Sequence, residues 1–440
     1  MPMRLLRTTA FLIWCVCSTF VGLAPGAEPP PRVVAAWAGG PMEARLAFDR
    51  PVDAEVAARV VGELIVFGEP PMPGVAGRPG GERGALRVAA ARLVDGGRTL
   101  VLVTDPHPRE ATYLLALPGV KPAGAPEAGA RVEVAYDLGG VEVAFAGDGA
   151  KWSTWWPSLD PDAARTLTAG SAEHDRFWTS KPSKGALTFQ TLINAPRGDV
   201  LLDLDASSPF EVTFGVESSK SAASKAEAHR ATLKAEATGD ALFFSMSLPE
   251  VEPGTLRVRA STAAGPLTRS AYVLPWAPPA PSPSLATEVP AVFLSGGDPA
   301  KGEAIFYGEQ AKCSTCHQVR GKGGLVGPDL TSLAGADRAW VYRNIMEPSA
   351  SIHPEYVSYT VAMKDGRVAM GVVRAEGADA LKVGDIDAKQ TVIPRAEVEE
   401  IRPSASSIMP VGLLGAIGDE RTRDLLAYLT GNPKSVVSGQ

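Results

Sequence analysis

At 440 residues the chain is long for a single hydrophobic core, so several domains are expected. A formal charge of -6 with a pI near 5.6 excludes a general affinity for nucleic acid or anionic membrane, leaving a protein, a small molecule or a glycan as partner.

The N-terminus carries Arg4 and Arg7, an apolar run from Ala10 to Ala24, and then "PGAEPP". This is the pattern of a secretory signal peptide over residues 1–27, cut after Ala27. The run is shorter than the roughly 20 apolar residues of a membrane span. Bulky Trp14 and Val16 precede Cys15 and Cys17, which argues against a lipoprotein cut. The protein is therefore expected to be exported, to the periplasm or the cell surface. Its mature form keeps only Cys313 and Cys316, so its domains must be stabilised by core burial.

Residues 28–138 show short apolar alternations such as "ARLAF", "RTLVLV" and "TYLLALPGV" between Gly, Pro and Asp clusters. That period of two predicts a β-sandwich resembling an immunoglobulin-like module. Residues 139–276 predict a second β-rich module, with "ALTFQTL", "DVLLDLD", "FEVTFGV", "ALFFSMSL" and "TLRVRAS" as strands. Its "SSKSAASKAEAHRA", 218–231, reads as a loop or exposed helix. Residues 277–293, opening on "APPAPSPSLAT", read as a Pro-rich extended linker.

From 294 to 432 helical signals take over. Asp298 and Pro299 cap "KGEAIFYGEQAK", and Asp419 precedes "ERTRDLLAYLTGNP", closed by Gly431 and Pro433 before a tail at 433–440. Residues 355–402 interrupt them with strand patterns and a hairpin signal at Asp365-Gly366.

Within this region "KCSTCHQVRGKGGLVGPDL", 312–330, carries the chemistry. Cys313 and Cys316, three apart on a helical turn, face one side, where two thiols reach the two vinyl groups of one porphyrin edge. His317 follows to ligate the iron. A zinc site would need further ligands that no other mature cysteine supplies, though His353 is within the region. A redox disulfide would sit at the start of a helix after a strand in a βαβ unit, which the pattern does not show. One covalent haem c is the favoured cofactor.

Two terminal helices around such a motif resemble a small c-type cytochrome. More specifically, "GEAIFYGEQAKCSTCHQVRGKGGLVGPDL", "NIMEPSASIHPEYVSYTVAMKDGRVAMG", "IPRAEVEEI", "SIMP" and "DLLAYL" are similar to the haem-binding cytochrome domain found at the C-terminus of large exported bacterial proteins. The resemblance implies that the Pro328 carbonyl accepts the Nδ1 proton of His317, fixing the ring. It also implies that Met409, in "SIMP", is the second iron ligand, raising the potential and closing the iron to other ligands. Met346, Met363 and Met370 are alternatives, read more simply as a core residue and two strand residues. The fold class that follows is multidomain: N-terminal β-sandwich modules, then a mainly α cytochrome c-like domain with a small inserted β-sheet.

Arg338 and Trp340 are candidate partners for haem propionates, against a solvated arginine and a packed indole. His353 reads as a loop histidine or a distal group. Trp152, Trp155 and Trp156, with Trp178 later, offer a stacking platform for a sugar or, more simply, sandwich core. His107, His174 and His229 belong to no readable nucleophilic motif.

These features predict an exported monohaem c-type cytochrome that passes one electron between a dehydrogenase, or another cytochrome, and a downstream acceptor. It would be an electron carrier rather than a catalyst on its own, with the front modules docking a partner or polysaccharide. The alternatives are an open-site haem sensor or peroxidase, and a surface or glycan-binding protein with an accessory haem domain.

Overall fold

The computed structural model describes residues 30–68, 84–125, 129–147, 150–179, 185–195, 197–220, 222–223, 229–238, 241–251, 255–277, 287–350, 352–404 and 406–431. The signal-peptide reading, most of the Pro-rich linker and the C-terminal tail lie outside them.

Seven strands build the first module: β1 (Val33–Gly40), β2 (Glu43–Phe48), β3 (Leu64–Phe67), β4 (Gly84–Val94), β5 (Thr99–Thr104), β6 (Tyr113–Val120) and β7 (Ala130–Tyr136). They pair in the order β1-β2-β5-β4-β3-β6-β7. β4 makes the turn between the halves. Gly84 to Arg87 pair with β3, a register shift falls between Val88 and Ala90, and the remainder pairs with β5. Such a bulge bends a strand, so one long strand serves both halves of a sheet folded over its core. That core holds Trp37, Phe48, Phe67, Tyr113 and Leu46, all buried.

The second module follows with β8 (Val141–Gly147), β9 (Ala150–Trp156), β10 (Gly185–Ile193), β11 (Gly198–Ala206), β12 (Glu211–Phe214), β13 (Glu217–Lys220), β14 (Ala222–Ala223), β15 (His229–Ala237), β16 (Leu242–Val251), β17 (Val258–Thr262), β18 (Gly265–Pro266) and β19 (Tyr272–Val273). One sheet runs β13-β12-β16-β10-β8-β9 with β19 also on β10, and the other runs β14-β15-β11-β17-β18. A single apolar core fills the space between them. Alternation dictates it: in "GDVLLDLDA" of β11, Val200, Leu202, Leu204 and Ala206 are buried while Leu201 and the charged residues face outward. The polar stretch expected as a loop or exposed helix instead carries β13, β14 and the start of β15 wherever it is described.

After α1 (Glu55–Val60) in the first module, two short helices, α2 (Pro161–Leu167) and α3 (Ala172–Thr179), join β9 to β10. The C-terminal region has α4 (Pro299–Tyr307), α5 (Cys313–Cys316), α6 (Arg338–Met346), α7 (Leu413–Ile417) and α8 (Asp419–Thr430). Among these lie a two-stranded ribbon, β20 (Gln318–Val319) with β21 (Lys322–Gly323), and a five-stranded sheet. Its strands are β22 (Ser358–Met363), β23 (Val368–Glu376), β24 (Ala380–Gly384), β25 (Gln390–Pro394) and β26 (Val398–Pro403), ordered β25-β24-β23-β22-β26.

The expectation of a mainly α cytochrome c-like domain over 294–432 is therefore corrected. The helices there are short, α5 a single turn of four residues, and the largest element is a sheet packed into an apolar cluster apart from the helical core. That cluster is shared with the first module. Met42 and Val103 pack with Tyr359, Val361, Val373 and Leu381, and the Tyr359 hydroxyl donates to the His107 carbonyl at 2.9 Å. Ala375 N donates to Asp105 Oδ1 at 2.8 Å, and Arg87 donates to the Ala375 carbonyl at 3.2 Å. A sheet seen in sequence as an insertion is thus the element that ties the C-terminal region to the N-terminal one.

Candidate functional site

The Cys turn sits on a frame made by α4 and by α8, the last described helix. Asp298 caps α4, accepting from Ala300 N at 2.9 Å, and its own N–H donates to Asp424 Oδ1 of α8 at 2.7 Å. The two helices touch at Gly302, where an added Cβ would lie 2.0 Å from the Asp424 carbonyl oxygen. Phe306, Leu425, Leu426 and Leu429 bury the contact, with Cys313 and Met346 packed at its edge.

From α4 the chain reaches Lys312, held at φ +50°, and turns into Cys313–Cys316. A side chain in the left-handed region costs about 1–2 kcal/mol, so the surroundings must hold it there. Lys312 N donates to the Gly308 carbonyl at 3.0 Å, and Thr315 N to the Lys312 carbonyl at 3.0 Å. Cys313 and Cys316 are free, partly buried thiols. Burial pushes the Cys313 thiol up to about 11 and raises Cys316 as well, with Asp385 and Asp387 adding to the second. Such thiols stay protonated at neutral pH, the opposite of what a thiol-exchange centre requires.

The loop from Gln318 to Pro328 wraps this turn closely. Gly324 N donates to the Ser314 carbonyl at 2.8 Å, and Gly327 N to the Cys316 carbonyl at 2.8 Å. Glycine is required at these positions by space: a Cβ on Gly324 would sit 1.9 Å from the Thr315 oxygen, and one on Gly327 2.6 Å from the His317 ring. His317 Nδ1 donates to the Pro328 carbonyl at 2.9 Å, which fixes the tautomer and leaves Nε2 unprotonated. Burial lowers the imidazole's proton affinity, partly offset by that bond.

On another side stands the five-stranded sheet. Gly384, at the end of β24, lies so close to Val326 that a Cβ would approach its Cγ2 to 2.9 Å. The Asp385–Lys389 turn that follows is closed by Lys389 N donating to Asp385 Oδ1 at 2.9 Å.

The other candidates are placed as follows. Met409 is half-buried in the non-helical segment before α7, its N–H donating to Ser407 Oγ at 3.1 Å. Met346 packs in the helical core, Met363 is buried in the sheet core and Met370 is exposed. Arg338 donates to the Gly296 carbonyl at 2.7 Å and Thr430 Oγ1 at 3.2 Å, so it joins α6 to the end of α8, while Trp340 is exposed. His353 lies beside Tyr356, ring centroids 5.9 Å apart. Trp155 and Trp156 are buried and Trp152 packs on Phe145 and Phe177, so the three form no exposed platform. Trp178 stacks on Trp156 at 5.1 Å.

His107 is enclosed between Pro41 and Tyr136, and His229 begins β15. His174 bonds Ser171 Oγ at 2.7 Å, but both are buried, so the pair is structural. Among the described residues no group of three or more His, Cys, Asp or Glu is placed to hold a metal ion. No described helix is long and apolar enough to cross a membrane.

Two features of the site escape a reading of the sequence: the close glycine contacts of the "GKGGLVG" segment and the approach of the Asp385 turn. Glycine density is the visible signal for the first; nothing local signals the second.

No family model matches the chain, and no curated protein matches it. The similarity to the haem-binding C-terminal domain family is accordingly withdrawn: no model of a family fits, the region is not mainly α, and no metal-holding cluster of those residue types is present among the described residues. Among solved structures the chain is similar to an anti-sigma factor domain-containing protein, with 11% identity and a TM-score of 0.24 over 56% of this chain and 92% of that one. It is also similar to a GH31 alpha-xylosidase from Xanthomonas citri, with 11% identity and a TM-score of 0.21 over 52% and 24% of the two chains. Domains 1-6 of the surface layer protein SbsC match at 12% identity and a TM-score of 0.21, over 55% and 34%.

Proposed function

We propose that the protein is an exported one-electron carrier holding one covalent haem c, with thioether bonds from Cys313 and Cys316 and His317 as an iron ligand. The observation that carries this reading is the His317 Nδ1–Pro328 bond of 2.9 Å, within a loop whose glycines press on the ring and on the Cys turn. The donor set suits the group: two unpaired thiols on one turn, and an imidazole whose tautomer leaves Nε2 for iron. The haem, when bound, supplies the change of one electron.

The chain's own residues have distinct tasks in this reading. Cys313 and Cys316 retain the cofactor outside the cell, and Pro328 holds the imidazole orientation during redox change. Phe306, Leu425 and Leu429 bury one side of the site, lowering its dielectric. Met409 is the proposed second ligand, which would close the iron to small molecules. A redox partner protein, a dehydrogenase or a cytochrome, supplies or takes the electron. Export rests on the leader pattern of residues 1–27.

The test is an optical spectrum of full-length protein, purified from a host with a cytochrome maturation system, beside Met409→Ala. The expected result is a covalent c-type spectrum whose weak far-red sulfur-to-iron band disappears in the variant. A covalent haem lacking that band in both, and binding carbon monoxide when reduced, would replace the carrier with a sensor or peroxidase.

A further inference from the structure

A cavity lies far in sequence from the Cys turn, where β1 and β2 of the first module meet β8, β9 and β10 of the second. Its volume is about 340 Å³. Ligand pockets fall at about 300–1,000 Å³ and favour such junctions. One wall is the outward face of three neighbouring strands. Trp155, Glu142 and Gln190 form one cross-strand row, and Ser153, Ala144 and Thr188 the next. Ala144, the smallest of the six, leaves a depression flanked by hydroxyl, amide and carboxyl groups.

The facing wall is Gly39 and Arg45. Gly39 carries no side chain where a Cβ would come within 2.7 Å of Glu43 and 2.9 Å of Arg45, so it leaves the guanidinium room. Arg45 is held from two sides, by Glu43 at 2.6 Å and by Glu173 at 2.7 Å, and Glu173 also accepts from the Thr154 hydroxyl. The indoles are anchored: Trp37 and Trp155 stack at 6.1 Å, and Trp155 Nε1 donates to the Gly139 carbonyl at 2.8 Å. The groove is thus preformed, its end fixed by buried, packed indoles and its side carrying a row of donors and acceptors.

Charge narrows the ligand. The guanidinium is already neutralised by two carboxylates, so an anion finds no unspent cation. Glu142 is partly buried and its proton affinity is raised by that burial, with the Trp276 indole opposing, which disfavours a full charge at that point. Ser153, Thr188 and Gln190 both donate and accept, matching groups that do the same.

We propose that this groove binds a neutral sugar unit, with its hydroxyls bonded to Glu142, Gln190, Ser153 and Thr188 and its apolar face over the exposed Ala144. The site is independent of the Cys turn, so it stands or falls separately from the haem reading. A single sugar bound by a few hydrogen bonds to a preformed groove is expected at an affinity on the order of millimolar.

The experiment is saturation-transfer NMR on the full chain with the methyl glycosides of glucose, galactose, mannose and N-acetylglucosamine, with choline as a cationic probe. The expected result is transfer to at least one glycoside, reduced tenfold or more in Gln190→Ala and in Glu142→Ala, with none to choline. Both positions face outward on regular strands, and circular dichroism of each variant checks the fold. No transfer to any of the four glycosides, transfer unchanged in both folded variants, or transfer to choline alone would overturn the proposal.

Discussion

Gly327 is the residue on which the geometry of His317 most directly depends. Its Cα faces the imidazole so closely that a methyl group would lie 2.6 Å from Cε1 and 2.8 Å from Nδ1. Gly327→Ala should cost about 1–3 kcal/mol as the ring or loop shifts. Retained haem per chain should fall with it, and urea denaturation together with a haem stain reads both. His107 provides a second residue-scale test. Its Nδ1 donates to the Pro41 carbonyl at 2.9 Å and its Nε2 accepts from the Tyr136 hydroxyl at 3.0 Å, so both nitrogens are spent in the neutral form. Burial pushes this imidazole down to about 4, with the Pro41 bond opposing. A folded value below the unfolded one, about 6.5, means the neutral ring is favoured by folding. The stabilisation is present above pH 6.5 and is lost as pH falls toward 4, by an amount on the order of 3 kcal/mol. Denaturation midpoints between pH 7.5 and 4.5 check this, and His107→Gln should flatten the acid limb.

Among the elements, α4 and α8 cross where Gly302 meets Asp424, and Gly302→Ala places a Cβ 2.0 Å from a backbone oxygen that cannot move without its helix. A loss of about 1–3 kcal/mol is expected in thermal or urea unfolding, with retained haem reduced because α4 leads through a short loop into α5. The five-stranded sheet gives a complementary test. Tyr359→Phe removes a buried hydroxyl that donates to the His107 carbonyl at 2.9 Å, leaving that carbonyl without this donor. A cost of about 1–3 kcal/mol follows, and hydrogen exchange of β22 should rise with that of β5 if the sheet and first module open together. These two elements also show what the sequence makes legible. The helices carry local signals, Asp298-Pro299 before α4 and Asp419 at the start of α8, and the hairpin turn is marked by Asp365-Gly366. The balance between them is not local. A four-residue helix such as α5 and a five-stranded sheet weigh differently only once paired, and the period of two in β22 does not say that its partner in the core is Val103 of β5.

At the scale of the whole molecule, two candidate sites are built in opposite ways. The Cys turn, His317 and Pro328 lie within sixteen residues of chain, so their grouping is visible in the sequence before any fold is known. The groove between the modules draws on β1, β2, β8, β9, β10 and α3, and no window of sequence contains it. Trp155 illustrates the difference. In sequence it belongs to a tryptophan cluster, whereas in the fold it is separated from Trp156 by the strand's alternation and stacks instead on Trp37, more than a hundred residues away. The first module contacts both regions, through Tyr359 on one side and Trp155 on the other, so the three parts are packed through it rather than arranged as beads. The measurement that most directly tests the central claim is the haem content of the full chain after denaturation, for the wild type and for Cys313→Ser with Cys316→Ser, each produced with a cytochrome maturation system. One haem retained per wild-type chain and none in the double variant is the expected result. Wild-type protein that folds and is exported but retains no haem would contradict it.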